Sequence, residues 1–355
     1  IPLRLVGSEM CIRDRCYIIC GFLYFKKGCD FMIDYTRLFR HDVKKNSNMT
    51  CLAIILYTIA CYAVVIVSQF AQLAYISFAF PENERDQRLD EYIEKASNSA
   101  WSTMAGILVG LLIIYLFSRR ENVKSIIFSR KRKMTPQVFF MLFLVFMMPQ
   151  IPSSYLSTFI ESGFNMVGLT TQSDLEWATG ESTSVSLFIY TSFFAPICEE
   201  LVYRGYVMRN MQRYGKSFAI IFSAALFGIM HGNIHQILFA FVIGLVLGYT
   251  AMEYSIKWSI ALHMINNFVF GDLMDRVLSI IFPEQAANIV SWFILLSLMF
   301  GGIAVLIVKR KEIKQYLNTL NFKNKRMYGW AFTTPAFIIF TAFSVYQMIS
   351  SISRL

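Results

Sequence analysis

Two neighbouring carboxylates and a guanidinium stand near the end of a long apolar run, as Glu199-Glu200 followed by Arg204. A charged side chain deep in hydrocarbon costs a few kcal/mol on insertion scales, so each needs a partner or a function. Glu200 and Arg204 are four residues apart and share a helical face, whereas Glu199 is rotated by about 100° from Glu200. The spacing predicts that Glu200 pairs with Arg204 while Glu199 points elsewhere. A cluster of interfacial charges without chemistry is the alternative.

Three of the four histidines also lie in or beside apolar runs. His231 closes one run, and His263 stands one helical turn before Asn267 in another. His235 is spaced like a metal ligand from His231 on a continuous helix, but Gly232 and the residue after it favour a turn, so we expect His235 in a loop or in a supporting position.

A carboxylate and an imidazole can deprotonate a water molecule, and a second imidazole with a carboxamide can stabilise the oxyanion of an attacked carbonyl. Such groups on separate helices predict peptide-bond hydrolysis. The GxSxG and HExxH motifs are absent, which lowers serine-hydrolase and zincin interpretations. We expect no cofactor. Zinc is the alternative, with Glu199, His231 and His263 as its ligands, because two histidines and a glutamate can form a catalytic zinc site.

The composition excludes a large water-soluble domain. Of 355 residues, 56% are hydrophobic and 16% are charged, and the mean hydropathy is +0.49, whereas a soluble domain carries about 25% charged residues. The net charge of +10 comes from basic residues beside apolar runs, which is a topology signal rather than a sign of nucleic-acid binding. The expected partners are membrane lipids and a membrane-associated peptide or protein substrate.

Nine apolar runs predict an all-α, polytopic membrane helical bundle with about eight or nine transmembrane helices. Whether the ninth run spans is left open. Kinks are expected at Pro149 and Pro152, where a kink without chemistry is favoured, and at Pro196. The runs lie at 50–80, 101–118, 138–153, 184–202, 217–231, 235–252, 257–271, 288–308 and 330–350.

Loop charges predict a cytoplasmic N-terminus, since Lys and Arg accumulate on the cytoplasmic side. Loop 81–100 has six acids against three bases, and 119–137 has seven bases against one acid. Loops 34–49, 205–217 and 309–329 continue the basic set, while 154–183 and 271–287 continue the acidic set. The basic segments 119–133 and 309–326 are interpreted as topology signals rather than lipid-binding sites.

The chain is expected to divide into four parts. Residues 1–31 are interpreted as a non-native or artefactual segment, followed by N-terminal transmembrane helices at 32–183, a catalytic core at 184–272 and C-terminal transmembrane helices at 273–355. Beyond residue 31 the cysteines lie in apolar runs without CxxC pairing, so we expect buried thiols rather than disulfides or a zinc site. They are Cys51, Cys61 and Cys198.

The chain resembles the CAAX-protease and bacteriocin-processing intramembrane endopeptidases, the CPBP family, over roughly residues 184–272. The resemblance depends on three motifs in order: EExxxR at Glu199–Arg204, FxxxH at Phe227–His231, and HxxxN at His263–Asn267. It implies Glu199 as the water-activating base with His231, and His263 with Asn267 as the oxyanion pair. Glu200 and Arg204 would be supporting residues by the same resemblance.

The leading hypothesis is an intramembrane endopeptidase in a bacterial plasma membrane. One alternative is a non-catalytic membrane protein that confers bacteriocin-type self-immunity by binding. A secondary transporter that uses Glu199 and Arg204 as substrate or proton groups is less favoured, because no internal repeat is visible.

Overall fold

A computed structural model describes residues 28–118, 132–179, 182–320 and 325–355, without the side chains of 28–35 and 177–179. Residues 1–27 of the segment predicted to be artefactual, 1–31, therefore lie outside the described residues. Residues 119–131 of the basic segment 119–133 also lie outside them. No observation tests the predicted division at residues 183 and 272, which stays a prediction.

The described chain is almost entirely helical, as the sequence predicts, and each of the nine apolar runs lies in helix for most of its length. The helices are α1 (Gly28–Ala79), α2 (Glu82–Ser97), α3 (Trp101–Phe117), α4 (Pro136–Met147), α5 (Gln150–Asn165), α6 (Gln172–Thr179), α7 (Val185–Tyr214), α8 (Lys216–Met230), α9 (Ile237–Glu253), α10 (Ile256–Ile265, continued by a π-helix at Asn266–Leu273 and an α-helix at Met274–Ile281), α11 (Glu284–Val308), α12 (Arg310–Thr319), α13 (Lys325–Phe332) and α14 (Pro335–Ser350).

The predicted number of eight or nine membrane spans is only partly supported. Among the residues that the structure describes, four helices are long and apolar enough to cross a membrane: α1, α4 with α5 counted as one helix, α7 and α11. The number is six if the bent pairs α2–α3 and α13–α14 each form one span. Helices α8 and α9 have only 15 and 17 residues. The apolar runs predicted helices correctly, but a helix packed inside a bundle can be apolar without being long enough to span.

Local sequence sets the beginnings and breaks of the helices that carry the polar residues. The Ser184 side chain caps α7 by accepting a hydrogen bond from the Leu187 amide at 3.2 Å. Near Pro149, where the sequence predicts a kink, α4 ends at Met147 and α5 begins at Gln150. Proline lacks the N–H that a helix interior needs, so the chain restarts one residue later.

Loops that the charge pattern assigns to one side of a membrane lie together in the fold. Glu253, at the end of α9, accepts hydrogen bonds from Lys216 at 2.6 Å and from Tyr316 at 3.1 Å, and Arg132 approaches it to 3.7 Å. Arg132, Lys216 and Tyr316 come from three loops predicted to be cytoplasmic, and they meet at Glu253.

At the opposite face, strands β1 (Leu169–Thr170) and β2 (Ser353–Arg354) pair in antiparallel fashion. The loop that follows α5 and the end of the chain therefore share this face. Which of the two faces is cytoplasmic stays a prediction.

Helix α8 forms the centre of the bundle. Four of its apolar side chains, Phe218, Phe222, Leu226 and Phe227, are fully buried. A helix buried on all sides has to be apolar all round, as this one is. The exceptions are the polar groups at its two ends, one of them His231, and Ser223 in the middle, whose hydroxyl donates to the Tyr203 carbonyl oxygen at 2.8 Å.

Two of the three cysteines follow the prediction closely. Cys51 and Cys198 are buried and free, while Cys61 is half-buried and free.

Candidate active site

Helix α7 carries the two glutamates on a short α-helical stretch, Ala195–Glu200, between two π-helical segments. The first is Tyr190–Phe194 and the second is Leu201–Val207. Single π-helical turns inside α-helices occur frequently at functional sites, because they rotate side chains away from the regular helical positions. Pro196 lies just after the first π-segment, where the sequence predicts a disturbance of the helix.

Glu200 is completely buried, and both of its oxygens are engaged. Oε1 accepts a hydrogen bond from Arg204 Nη1 at 2.8 Å and lies 3.2 Å from His263 Nδ1. Oε2 accepts a hydrogen bond from the Ser259 hydroxyl. The predicted pairing of Glu200 with Arg204 on one helical face is confirmed.

Arg204 is held by three groups from separate helices, and its side chain is fully buried. Besides Glu200, its Nη2 donates to the Gly244 carbonyl oxygen on α9 at 3.2 Å. Its guanidinium carbon lies 4.3 Å from the centre of the Phe227 ring on α8, in the geometry of a cation–π contact. Arg204 therefore joins α7, α8 and α9 around one charge.

Glu199 has a different environment from Glu200. Its Oε2 lies 3.7 Å from His263 Nε2, and its side chain is 20% exposed, against 0% for Glu200. Within the described residues, neither oxygen of the Glu199 carboxylate accepts a hydrogen bond of normal length. One glutamate is thus held in an ion pair while its neighbour points elsewhere, as the helical spacing predicts.

His263 lies between the two carboxylates, with Nδ1 toward Glu200 and Nε2 toward Glu199. The Arg204 guanidinium beside Glu200 favours the ionised carboxylate, which can only accept, so His263 Nδ1 is the donor. The ring orientation is therefore fixed, and Nε2 is the atom that faces Glu199.

His231 ends α8 and has its own fixed orientation. Its Nδ1 lies 2.8 Å from the Phe227 carbonyl oxygen, which can only accept, so Nδ1 carries the proton and Nε2 has a free lone pair in the neutral ring. The Phe227 ring meets His231 edge to face at 5.0 Å between centroids and His263 likewise at 5.7 Å. Phe227 therefore contacts both imidazoles.

Asn267 lies one turn beyond His263, in the π-helical part of α10. Its Nδ2 donates to the Thr191 carbonyl oxygen on α7 at 3.0 Å, and its Oδ1 accepts from Asn266 Nδ2 at 3.0 Å. The residue therefore connects α10 to the segment of α7 that precedes the glutamates.

His235 lies in a turn, as the sequence predicts, because Gly232 has φ +54° and ends the helix before it. Its Nε2 lies 2.9 Å from the Thr171 hydroxyl, which donates to Glu161 at 2.6 Å. Burial lowers the pKa of His235. Its recorded contacts are with the segment around β1 and not with the residues around Glu199.

The arrangement of possible ligands bears on the zinc alternative. Within the described ranges, no three side chains of His, Cys, Asp or Glu come close enough together to hold a metal ion. These ranges include Glu199, His231 and His263, the predicted ligands of a zinc ion, and whether the protein uses zinc stays a prediction.

Sequence reasoning missed Ser259 and Gln150. Ser259 stands four residues before His263, a spacing that puts both on the face toward Glu200. Gln150 Nε2 donates to Asn266 Oδ1 at 2.6 Å. The available signal was the position of Gln150 between Pro149 and Pro152. Because the kink at these prolines was interpreted as having no chemical role, Gln150 was assigned none.

Comparison with known proteins gives one curated relative and one family. The relative is an uncharacterized protein of Mycoplasma capricolum subsp. capricolum, 30% identical over 164 residues, which are 42% of this chain and 48% of the relative. The chain thus spans about half the length of the curated relative that it matches. No solved structure matches the chain.

The family match covers the part of the chain that holds the residues around Glu199. Together with the apolar helices, it indicates a multi-pass membrane protein related to proteases. Residues 181–269, which contain all six predicted site residues, match the family described as type II CAAX prenyl endopeptidase Rce1-like, as the three sequence motifs predicted.

Proposed function

We propose that this chain is a glutamate-dependent intramembrane endopeptidase that hydrolyses peptide bonds of a membrane-associated peptide or protein. One observation carries the proposal: of two adjacent carboxylates, Glu200 is fully engaged, whereas Glu199 faces His263 Nε2 at 3.7 Å and keeps its oxygens available. A half-buried carboxylate with a free lone pair can accept a proton from water.

Glu199 and His231 activate the water. His231 contributes Nε2, whose lone pair is free because Nδ1 donates to the Phe227 carbonyl oxygen. The water oxygen attacks the substrate carbonyl carbon while its proton passes to Glu199. The tetrahedral intermediate then collapses, and Glu199 returns the proton to the leaving amide nitrogen.

His263 and Asn267 stabilise the oxyanion. Since His263 Nδ1 donates to Glu200, Nε2 can donate to an oxyanion only when the ring is an imidazolium. Glu199, Glu200, Arg204 and His263 then carry two negative and two positive charges, so the site is neutral before water is deprotonated. The Asn267 amide supplies the second donor.

We place the protein in a bacterial plasma membrane, with a cytoplasmic N-terminus and eight or nine transmembrane helices. The alternation of basic and acidic loops supports this orientation. The bacterial relative supports the setting. The proposed reaction is metal-free, which is supported by the finding that, in the part of the chain that the structure describes, no group of three His, Cys, Asp or Glu side chains is arranged to hold an ion.

The test is a search for products in a reconstituted system. The full chain is placed in lipid vesicles with a library of peptides anchored to the vesicle surface, and new peptide termini are identified by mass spectrometry. Glu199→Gln is compared with wild type, each with and without a chelator. The control is Glu176→Gln on α6, which removes a carboxylate whose recorded hydrogen bond is to Gln172.

We expect new termini with wild type and with Glu176→Gln, none with Glu199→Gln, and no effect of the chelator. The same termini with Glu199→Gln would refute the proposed base. Cleavage that a chelator abolishes would refute the metal-free mechanism. If Glu199→Gln bound the peptide and still protected cells from a bacteriocin, the function would be self-immunity by binding.

A further inference from the structure

Three carboxamide side chains form a continuous relay from α5 to α7. Gln150 Nε2 donates to Asn266 Oδ1 at 2.6 Å, Asn266 Nδ2 donates to Asn267 Oδ1 at 3.0 Å, and Asn267 Nδ2 donates to the Thr191 carbonyl oxygen at 3.0 Å. Asn266 and Asn267 each use the amide nitrogen toward one neighbour and the oxygen toward the other, and Gln150 supplies the first donor. The relay begins outside the set of residues that the sequence motifs identify.

The direction of the relay is fixed by its last acceptor. A backbone carbonyl can only accept a hydrogen bond, so Asn267 has to turn Nδ2 toward Thr191. Its Oδ1 then faces Asn266 and requires a donor there, which in turn presents the Asn266 oxygen to Gln150. No other arrangement of the three amides satisfies all three contacts.

Pro196 explains why the Thr191 carbonyl is available. In the π-segment of α7, the Ala195 N–H bonds to the Tyr190 carbonyl oxygen, five residues earlier. The next bond of this pattern would join the nitrogen of residue 196 to the Thr191 carbonyl oxygen. Proline has no N–H, so the Asn267 amide takes the place of that donor.

Gln150 reaches α10 because the α4–α5 segment is interrupted at Pro149. It is the first residue of α5 and is half-buried. The helix break therefore presents a donor to Asn266.

We propose that Gln150 and Asn266 are positioning residues that fix the amide of Asn267 with its nitrogen toward the oxyanion. This inference rests on the proposed function, in which Asn267 is an oxyanion donor. The Asn267 Nδ2 carries two hydrogens, and it donates one of them to the Thr191 carbonyl oxygen. Because the amide group is planar, this hydrogen bond also fixes the direction of the second hydrogen, which is the one available to an oxyanion. Without the relay, only the Thr191 carbonyl oxygen holds the amide in this orientation, so the form rotated by 180°, whose oxygen repels an oxyanion, becomes more populated.

The test is a kinetic double-mutant cycle in vesicles, on a substrate identified as above. We expect Asn267→Ala to lower kcat by about 10²–10³, the usual effect of losing one oxyanion donor. Gln150→Leu should lower kcat by about tenfold with KM unchanged, because it removes one hydrogen bond from the relay. In the Asn267→Ala background, Gln150→Leu should cost nothing further. Gln172→Leu on α6 is the matched control and should leave kcat unchanged.

A second variant keeps the inference testable if Gln150→Leu folds poorly. In Gln150→Glu, an ionised carboxylate cannot donate to Asn266, but a protonated one can, so kcat should rise relative to wild type as the pH falls. A variant with a purely structural defect would lack this pH profile.

The outcomes separate the two proposals. If Asn267→Ala is slow but Gln150→Leu matches wild type, or costs as much in both backgrounds, the relay is refuted and the proposed function stands. If Asn267→Ala itself has wild-type kcat, the oxyanion role fails, and the relay inference fails with it.

Discussion

Replacing Arg204 by Met should destabilise the fold more than any loss of a surface ion pair. The substitution keeps an unbranched apolar side chain and removes the guanidinium that pairs with Glu200 at 2.8 Å. Both side chains are completely buried, so the Glu200 charge is left without its cation. Breaking a buried pair in this way typically costs about 3–5 kcal/mol.

The contacts of Arg204 indicate how the loss divides. Ser259 and His263 still contact the Glu200 carboxylate, which limits the cost of the uncompensated charge. The hydrogen bond to the Gly244 carbonyl oxygen and the contact with the Phe227 ring are lost as well. We therefore expect about 3–5 kcal/mol in the free energy of unfolding, measured by denaturant titration of the purified protein in micelles.

A double-mutant cycle separates the charge from the packing. Glu200→Gln with Arg204→Met should cost less than the sum of the single changes, with a coupling energy of about 1–3 kcal/mol. The control is Arg88→Met, whose pair with Glu91 has side chains 43% and 40% exposed and should cost about 0.2–1 kcal/mol. A loss of less than 1 kcal/mol in Arg204→Met, or strict additivity in the cycle, would refute this reasoning.

Three further predictions follow from single contacts. Ser259→Ala removes the hydroxyl that donates to the buried carboxylate and should destabilise the protein by about 1.5–3 kcal/mol, measured by denaturant unfolding. Gly106→Ala places a methyl group 2.7 Å from a backbone oxygen of α1 and should cost about 1–3 kcal/mol, measured in the same way. Burial lowers the pKa of His235 below its value in the unfolded chain. The contribution of His235 to stability is therefore complete above about pH 6.5 and is lost as the pH falls. Hydrogen exchange at residues 169–171, corrected for intrinsic rates, should show that this segment opens more easily at low pH.

Each of these predictions has a matched control. Ser223→Ala removes a buried hydroxyl that donates to a backbone carbonyl oxygen at 2.8 Å, and it should cost less than Ser259→Ala. Equal costs would contradict the role of the charged acceptor. Gly163→Ala, where an added methyl group meets nothing within 4 Å, should be neutral or stabilising, and a loss like that of Gly106→Ala would exclude the steric reason. His235→Gln should remove the pH dependence of opening, and its persistence would show that another group titrates.

The helical spacing of the motifs predicted the central ion pair, because residues four apart in a helix share a face whatever surrounds them. The same rule separated Glu199 from Glu200. The apolar runs predicted where the helices lie, since charge is expensive in hydrocarbon. The sequence motifs also identified the family that residues 181–269 match.

Other features depended on contacts between helices that no local pattern encodes. Gln150 meets Asn266 across 116 positions of sequence, and only the interruption at Pro149 brings them together. The π-segments of α7 and α10 rotate side chains in a way that regular helical spacing does not anticipate. The number of spans stays only partly supported, because α8 and α9 are apolar but shorter than the helices that are long enough to span.

The most direct test of the central claim is the single-turnover cleavage rate of Glu199→Gln on a bound substrate. Glutamine preserves the size and shape of the side chain but cannot accept the proton of water, so the substrate should still bind while the rate falls by about 10²–10⁴. A rate within tenfold of wild type, with the substrate bound equally well, would contradict the role of Glu199 as the base.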